Sequence, residues 1–254
     1  MDLCLVGSEM CIRDRQCSMN TLLLESSTIV DGEAVISGRQ HQHLTDVQKV
    51  VVGDRLRVGE INGQLGSALI TATDEHRTSL SLSLTAAPPL PITLTLVLAL
   101  PRPKMLRRIL QTVAAMGVKK IHLINASRVE KSYWQSPMLE PDAIRQQLIL
   151  GLEQACDSQL PEVQLHPLFK PFVEDQLPAL AEGQLALVAH PYTEDRCPVE
   201  IAQPAILAVG PEGGFIPYEI TKLRSCGFKS VHIGSRILRV ETAIPVLLSR
   251  LFPL

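Results

Sequence analysis

The chain has few aromatic residues and no long apolar run. Aromatic residues make up 4% of the 254 residues, whereas hydrophobic residues of all kinds make up 46%. This balance favours an α/β interior packed with leucine, valine and isoleucine over an aromatic-rich β-sandwich. No run reaches the roughly 18 apolar residues that a membrane-spanning helix needs, so we expect no membrane partner.

The chain also has little net charge, and its cysteines and histidines form no metal-binding pattern. The formal net charge is only -2, so the average composition does not indicate a nucleic-acid-binding protein. The cysteines form no CxxC pair, and His41 and His43, interpreted as lying on one strand, have no third ligand nearby in the sequence. We therefore expect free thiols in a reducing cytoplasm and no metal site.

The first eighteen residues lack the features of a folded or targeting segment. They read MDLCLVGSEMCIRDRQCS, with neither a basic start nor an apolar centre long enough for a signal peptide. They also show no periodicity typical of a helix or a strand. We expect residues 1–18 to be a non-native or disordered extension, with Met19 as the start of the protein.

Residues 19–87 contain short strand-like runs separated by turn signals. Asn62-Gly63 is a strong hairpin signal between two of these runs. Short strands at such spacing predict a small β-barrel, and the stiff segment Pro88-Pro89-Leu90-Pro91 predicts a domain boundary. The expected strands cover residues 22–24, 34–36, 50–52, 55–58, 67–73 and 78–84.

From residue 92 to residue 254 the pattern changes to alternating strands and helices. This alternation predicts an α/β domain with a mostly parallel sheet and helices on both faces. The expected strands cover residues 92–100, 120–124, 163–168, 185–190, 205–209 and 230–233. The expected helices cover residues 104–116, 142–155, 217–226 and 243–251.

Two glycine-rich loops follow strands of this second domain. The first is Gly210-Pro211-Glu212-Gly213-Gly214, and the second begins at Gly234. Neither a Walker A loop nor a GxGxxG motif is present, so a phosphate cradle is not expected. Backbone groups at the glycines could hold an adenine or another planar polar group, and a plain tight turn is the alternative. Because open α/β sheets bind ligands where strands end, both loops could frame one pocket.

The second loop carries polar side chains with several open roles. Arg236 and Arg239 suit a phosphate or an oxyanion, but could also be solvated surface charges. Glu241 could pair with one of these arginines or act as a base. Thr242 could cap the last helix, with Pro245 tolerated in its first turn.

A basic segment lies between residues 101 and 134. On the helix expected there, apolar residues recur at helical spacing and leave the basic side chains toward solvent. Tyr133 and Trp134 follow, and positive charge beside aromatic rings suits single-stranded RNA. A solvated charged face is the alternative. The residues expected to bind RNA are Arg102, Lys104, Arg107, Arg108, Arg128 and Lys131.

The segment GPEGGF, followed in the chain by IGSRILRVETA, resembles the paired signature of the ribosomal RNA small subunit methyltransferase E family, in the SPOUT superfamily. The segments HQHL and VGDRLRV and residues 98–117 extend the resemblance over nearly everything from Met19 onward. It implies a PUA-like RNA-binding β-barrel over residues 19–87. It also implies a SPOUT-type, mostly parallel sheet with a C-terminal trefoil knot, S-adenosylmethionine as methyl donor, and a homodimer with its active site at the subunit interface.

The resemblance also implies a reaction and residue roles. The reaction is methylation of N3 of a uridine in small-subunit (16S) ribosomal RNA. Arg239 would stabilise the base or position the cofactor, Glu241 would accept the N3 proton, and Arg236 would contact the RNA backbone. The cofactor site would comprise Leu187, His190, Val209, Gly210, Pro211, Glu212, Gly213, Gly214, Ile233, Gly234, Ile237 and Leu238.

The chain departs from the family pattern at three places. Val240 stands where threonine is usual, and Ile216 stands where serine or threonine would cap a helix. Cys156-Asp157 replaces a usual Gly-Arg, so an acid there would repel phosphate. A SPOUT methyltransferase acting on a different RNA base is one alternative, and a non-catalytic RNA-binding or ribosome-assembly factor is another. A nucleotide-binding oxidoreductase is disfavoured because no dinucleotide fingerprint follows a strand.

Overall fold

The computed structural model describes residues 20–253, which form two compact units. One unit comprises the described residues up to Pro89 together with Leu152–Gln159, and the other comprises Leu90–Gly151 and the described residues from Leu160 onward. The boundary at Pro89 lies inside the proline-rich segment. The extension expected at residues 1–18 lies outside the described residues. Among the described helices, none is both long and apolar enough to cross a membrane.

The first unit contains a six-stranded, barrel-like sheet in the order β1-β4-β5-β6-β3-β2. Strands β1 and β4 are parallel, and the other neighbours are antiparallel. Leucine, isoleucine and valine side chains that alternate along the strands fill its core. The strands are β1 (Leu22–Leu24), β2 (Ile29–Val30), β3 (Glu33–Ser37), β4 (Arg55–Glu60), β5 (Leu65–Thr73) and β6 (Arg77–Ala86).

The local predictions for the first unit are partly confirmed. The hairpin at Asn62-Gly63 joins β4 to β5, and Asn62 adopts a left-handed φ of 61°. The strand expected at 50–52 is wrong, because the backbone N–H of Val51 donates to the Asp54 carboxylate at 2.8 Å instead of joining a ladder. This side-chain bond closes a turn, a role that aspartate often takes.

His41 and His43 do not share a strand, and that interpretation is wrong. His41 belongs to helix α1 (Gly38–Gln42), and His43 begins the π-helical turn His43–Gln48. His41 is buried, and its Nδ1 lies 2.9 Å from the hydroxyl of Thr78, whereas His43 is exposed. The two imidazoles therefore occupy different surroundings, and His41 serves the packing of the sheet.

The second unit is built on a six-stranded, fully parallel sheet in the order β12-β10-β11-β7-β8-β9. Its central strands β7 and β11 are buried along their whole length, as expected for a sheet covered on both faces. The α/β class and the mostly parallel sheet are therefore confirmed. The strands are β7 (Leu94–Ala99), β8 (Lys120–Ile124), β9 (Glu162–His166), β10 (Leu185–Ala189), β11 (Ala205–Val209) and β12 (Lys229–Val231).

The helices of this unit agree with the sequence pattern except for short segments. The short α4 and α5 and the π-helical turn Phe172–Gln176 between them were not predicted, nor were the 3-10 turns Lys131–Gln135 and Pro137–Leu139. Prolines recur in these segments, and one-turn helices have too little periodicity to be recognised. The helices are α2 (Pro103–Ala115), α3 (Pro141–Ala155), α4 (Phe169–Pro171), α5 (Leu177–Ala181), α6 (Pro217–Ser225) and α7 (Val240–Leu251). The last residues of α3, from Leu152 onward, belong to the first unit.

Helices α2 and α3 approach closely at Gly151. A Cβ atom on Gly151 would lie 2.2 Å from the backbone oxygen of Gln111, which cannot move aside without shifting α2. The Gln111 side-chain amide also donates to the side-chain oxygen of Gln147 at 2.7 Å. Glycine at position 151 therefore sets the separation of the two helices.

We expect Gly151→Ala to destabilise the protein although alanine is the better helix former. Helix propensity alone favours alanine by about 0.5–1 kcal/mol, whereas overpacking against a backbone atom costs about 1–3 kcal/mol. Urea denaturation should therefore show a lower free energy of unfolding. Gln146→Ala, at an exposed position of the same helix, is the matched control and should be neutral or stabilising. A stabilised Gly151→Ala variant would contradict the close approach.

His122 and His166 form a buried imidazole pair on β8 and β9. Nδ1 of His122 lies 3.0 Å from Nε2 of His166, the two rings stack, and Phe172 packs against both of them. Burial, and next the neighbouring His166, lower the pKa of His122 from 6.5 to about 4. His122 is therefore uncharged in the folded protein at neutral pH.

The lowered pKa of His122 predicts a loss of stability in mild acid. The unfolded chain binds this proton near pH 6.5 and the folded chain only near pH 4, so protonation favours unfolding as the pH falls through that window. The free energy of unfolding should fall more steeply from pH 6.5 to 4 in the wild type than in His122→Gln. Equal slopes for the two proteins in denaturation series across this window would refute the assignment.

Candidate functional site

The carboxyl ends of β10, β11 and β12 open into a cavity of about 700 Å³. The three ends meet because β10 pairs in parallel with β11 on one side and with β12 on the other. Residues following each strand line the cavity, and helices α6 and α7 supply two further walls. Strand ends of parallel sheets are where ligands bind in open α/β folds.

The first glycine-rich loop needs its glycines for geometric reasons. The N–H of Gly214 donates to the carbonyl of Pro211 at 2.7 Å, which closes a tight turn. Gly214 has a φ of 72°, a conformation that residues with a Cβ rarely adopt. A Cβ on Gly210 would lie 3.0 Å from the backbone nitrogen of Phe215. At its glycines, the loop therefore presents backbone groups to the cavity without a side chain in the way.

A buried carboxylate ties this loop to the loop that follows β8. Glu219 is 2% exposed, and its two oxygens accept the backbone N–H groups of Ser127 at 2.6 Å and Ile216 at 2.9 Å. The Arg128 guanidinium also donates to the carbonyl of Gly213. Ile216 gives α6 no side-chain cap, as expected, but Glu219 three residues later accepts the N–H of Ile216, which is the reciprocal half of a capping box.

The segment after β10 runs beside the segment after β12. The N–H of His190 donates to the carbonyl of Val231, and the N–H of Cys197 donates to the carbonyl of His232. The rings of His190 and Tyr192 meet edge to face with centroids 5.8 Å apart. Burial lowers the pKa of His190, and the charge of Arg224 lowers it further. The ring is therefore uncharged at neutral pH.

The helical walls of the cavity come from residues at helical spacing. One face of α6 supplies a wall whose residues are Pro217, Ile220, Thr221 and Arg224. One face of α7 supplies another, whose residues are Val240, Ala243 and Leu247. None of these residues is among those expected to hold the cofactor, although their i, i+3, i+4 spacing could have indicated the two faces.

Most residues expected to hold the cofactor lie around this cavity. Leu187 is the exception, since it is 2% exposed and paired with Leu207 and Lys229 inside the sheet. The expected residues that line the cavity are His190, Val209, Gly210, Pro211, Glu212, Gly213, Gly214, Ile233, Gly234, Ile237 and Leu238. The ends of β10 and β11 and the second glycine-rich loop therefore meet at one cavity, as expected. Tyr192 also lines this cavity.

The three residues expected to act in catalysis lie at or near the start of α7. Arg236 lines the cavity, whereas Arg239 and Glu241 lie outside its lining. Arg239 is exposed and is the N-cap residue of α7, and Glu241 is half-buried in the first turn.

The capping role expected for Thr242 is wrong. Helix α7 begins at Val240, so Thr242 lies within the first turn, and its N–H donates to the carbonyl of Arg239 at 3.0 Å. Pro245 is correspondingly inside the helix rather than in its first turn. Because proline has no N–H, it cannot bond to the carbonyl of Glu241.

The six basic residues expected to bind RNA are all exposed, and one of them also lines the cavity. Those exposed at the start of α2, on its outer face and in the following loops are Arg102, Lys104, Arg107, Arg108 and Lys131. Arg128 is also exposed, but it lines the cavity and its guanidinium donates to the carbonyl of Gly213. The indole N–H of the half-buried Trp134 donates to the side-chain oxygen of Asn125 at 3.1 Å, which fixes the ring beside the end of β8.

Asp157, in the first unit, does not present an acid to solvent. It is 4% exposed, and its carboxylate accepts the N–H of Gln159 at 2.9 Å. Cys156 before it has a left-handed φ of 54°, which ends the helix and turns the carboxylate inward. The carboxylate is therefore withdrawn from the surface, and its effect on an RNA phosphate stays a prediction.

Comparison with known proteins agrees with this geometry. Residues 88–252 match the model of the RNA methyltransferase domain family. Ribosomal RNA small subunit methyltransferase E of Treponema pallidum is 32% identical over 232 residues, which cover 89% of this chain and 87% of that protein. Ribosomal RNA small subunit methyltransferase E 1 of Borreliella burgdorferi is 28% identical over 142 residues, which cover 56% of this chain and 59% of that protein.

Solved structures share the fold. The crystal structure of ribosomal RNA small subunit methyltransferase E from Neisseria gonorrhoeae, bound to S-adenosyl methionine, is 21% identical, with a TM-score of 0.72 and coverage of 91% of this chain and 96% of that chain. A methyltransferase from Legionella pneumophila in complex with the same cofactor is 23% identical, with a TM-score of 0.72 and coverage of 90% and 96%.

The parallel sheet, the cavity at its strand ends and the family match define a methyltransferase of the RNA-modifying class. The SPOUT-type fold expected from the resemblance, preceded by a barrel-like sheet, is confirmed. More particularly, the chain belongs to the ribosomal RNA small subunit methyltransferase E family.

We expect Glu219→Gln to loosen the first glycine-rich loop. The amide keeps the size of the side chain but has one acceptor oxygen, so one of the two backbone N–H groups loses its partner, at about 1–3 kcal/mol. Hydrogen exchange at the amides of Ser127 or Ile216 should accelerate, and the free energy of unfolding should fall. Asp175→Asn, at an exposed position, is the control. Unchanged exchange at both amides would exclude this role for Glu219.

Proposed function

We propose that this chain transfers a methyl group from S-adenosylmethionine to N3 of a uridine in small-subunit (16S) ribosomal RNA. The observation that carries the proposal is the cavity in which both glycine-rich loops meet, in a chain that matches a ribosomal RNA methyltransferase over 89% of its length. A non-catalytic RNA-binding factor would not need such a cavity.

The cavity fits the cofactor in size and chemistry. Its volume of about 700 Å³ lies in the range of small-molecule sites, which are mostly apolar with a few placed polar groups. Apolar side chains such as Ile220, Leu238 and Leu247 suit an adenosine, and the backbone of Gly210–Gly214 can hydrogen-bond to it. When bound, S-adenosylmethionine supplies an electrophilic methyl group on its sulfonium.

The residues at the start of α7 would prepare the base. N3 of neutral uracil carries a proton, so methylation requires its removal or stabilisation of the developing anion. We assign proton acceptance to Glu241, stabilisation of the base to Arg239, and an RNA phosphate contact to Arg236. N3 is hidden by pairing in a duplex, so the uridine must be unpaired or flipped out.

A homodimer would complete the site. Arg239 and Glu241 lie outside the cavity lining of one chain, and two apolar side chains of the lining are largely exposed, Tyr192 at 78% and Ile237 at 70%. Large exposed apolar groups around a site favour a protein partner. In the dimer that we propose, a second copy covers this rim and brings the residues at the start of α7 to the base.

The path of the chain favours the trefoil knot as part of this proposal. The terminal helix lies beside the connection from β10 to β11, where the N–H groups of Glu200 and Ile201 donate to the carbonyls of Arg250 and Leu251, each at 2.9 Å. The N–H of His232 likewise donates to the carbonyl of Asp195 in this connection at 2.9 Å. A chain end enclosed by an earlier connection is the arrangement that a knot requires.

The remaining assignments concern RNA and location. We propose that the first unit is a PUA-like RNA-binding domain and that the exposed basic residues of α2 track RNA phosphates. Ribosomal RNA as substrate and free thiols at Cys197 and Cys226 favour the cytoplasm.

Mass-spectrometric analysis of nucleosides from 16S ribosomal RNA tests the proposal. Cells that lack the protein should lose one 3-methyluridine, and the purified protein with S-adenosylmethionine should restore it on small subunits or their RNA. An unchanged 3-methyluridine content would reject the substrate, and methylation of another base would favour the alternative target within the same fold.

Variants at the start of α7 test the residue roles. We expect Arg239→Ala to lower kcat by about 100-fold or more, because it removes a group that stabilises developing charge. Glu241→Gln should lower kcat by a similar factor through loss of the base, and both should leave cofactor affinity within about threefold. Lys229→Ala, at an exposed position outside the cavity lining, is the control. Full methyl transfer by Arg239→Ala would remove that residue from the mechanism.

A further inference from the structure

The α6 wall of the cavity carries a positive charge to which the proposed reaction gives no role. Pro217, Ile220 and Thr221 on this wall are apolar or neutral, and Arg224 is its charged member. Since these residues recur at helical spacing, the α6 backbone places Arg224 on the cavity side, with its side chain exposed. An arginine presented in this way can recognise an anionic group of a ligand.

The guanidinium of Arg224 is held in place by a buried hydroxyl. Its Nε and Nη2 atoms donate to Oγ of Ser230 at 3.2 and 3.0 Å. Ser230 lies in β12 and is 4% exposed, so the sheet itself positions the group. Within residues 20–253, the structure shows no ion pair between Arg224 and an acidic side chain.

The donors that remain on Arg224 suit a carboxylate. Arginine has five N–H donors in a planar fork, and Ser230 takes one from Nε and one from Nη2. Both donors of Nη1 and the second donor of Nη2 remain, and these lie at the end of the guanidinium that binds carboxylates in a bidentate manner. Ser230 therefore orients the Arg224 guanidinium and leaves the donors at this end available to a ligand.

The other charges around the cavity strengthen this choice. Arginines outnumber acids in the lining, which contains Arg128, Arg224, Arg236 and one acid, Glu212. Arg128 already donates to the carbonyl of Gly213. Arg224 and Arg236 are both exposed, but Arg224 is the one whose guanidinium donates to a buried hydroxyl within residues 20–253. Arg224 is therefore the cation of this lining that is best preorganised for an anion.

We propose that Arg224 binds the α-carboxylate of the methionine part of S-adenosylmethionine, with Ser230 as its positioning residue. The inference rests on the proposed function, since it assumes this cofactor. The sulfonium and the ammonium of the cofactor are cations, so the carboxylate is the group that a guanidinium attracts. An RNA phosphate is the other anion that could reach the same donors, and the experiment separates the two.

The test compares ligands with and without the carboxylate, in the absence of RNA. Isothermal titration of wild type and Arg224→Ala should use S-adenosylmethionine, S-adenosylhomocysteine and 5′-methylthioadenosine, the last of which lacks the amino-acid part. Loss of a charge-assisted bond should weaken binding of the first two by about tenfold or more. Binding of 5′-methylthioadenosine should be unchanged.

Further variants separate a specific contact from a general effect. Lys222→Ala, on the same helix but outside the cavity lining, is the matched control and should bind all three ligands as the wild type does. Arg224→Lys keeps the charge but not the fork, and should recover part of the lost affinity. Ser230→Ala should weaken the two carboxylate ligands less than Arg224→Ala does, with 5′-methylthioadenosine again unaffected.

Each contrary result has a distinct meaning. Equal weakening of all three ligands by Arg224→Ala would show a structural role and overturn the proposal. No weakening of any ligand would also overturn it, and a simultaneous loss of RNA affinity would assign Arg224 to a phosphate instead. If the wild type binds none of the ligands, the proposed function fails together with this inference. If the wild type binds them and Arg224→Ala binds them equally well, only the inference about Arg224 fails.

Discussion

Parallel pairing of β10 with both β11 and β12 is the constraint on which the site depends. These strands end at Ala189, Val209 and Val231, far apart in the sequence. Because parallel strands end at the same edge of a sheet, pairing brings their following segments to one place. The cavity, the two glycine-rich loops and the walls from α6 and α7 all follow from this one arrangement.

Hydrogen bonds to buried or fixed polar groups then give the loops their shape. Glu219 holds the loops after β8 and β11 together through two backbone N–H groups, and Arg128 adds a bond to the carbonyl of Gly213. In β12, Ser230 fixes the guanidinium of Arg224. Backbone groups that are buried need such partners, so the polar residues that stabilise the fold are also those that preorganise the site.

The sequence predicted regular elements well where periodicity or glycine signals were strong. The buried strands, the hairpin at Asn62-Gly63 and helix α2, which ends before Gly117 with its left-handed φ of 83°, are examples. One failure occurred where a single side-chain hydrogen bond decided the conformation. Val51 was placed in a strand, but Asp54 takes its N–H, and such a bond leaves no trace in the hydrophobic pattern.

The candidate site also combines features that the local sequence predicts with features that only the tertiary structure decides. The sequence by itself determined which segments are loops with bare backbone, which helices are amphipathic and where positive charge gathers, because glycine content, apolar spacing and charge are local properties. Only the tertiary structure decided the strand order, the withdrawal of Leu187 into the sheet, the inward turn of Asp157 and the placing of Arg224 against Ser230. These depend on groups that meet only after the chain has folded, and no local pattern specifies the partner of a hydrogen bond across a sheet.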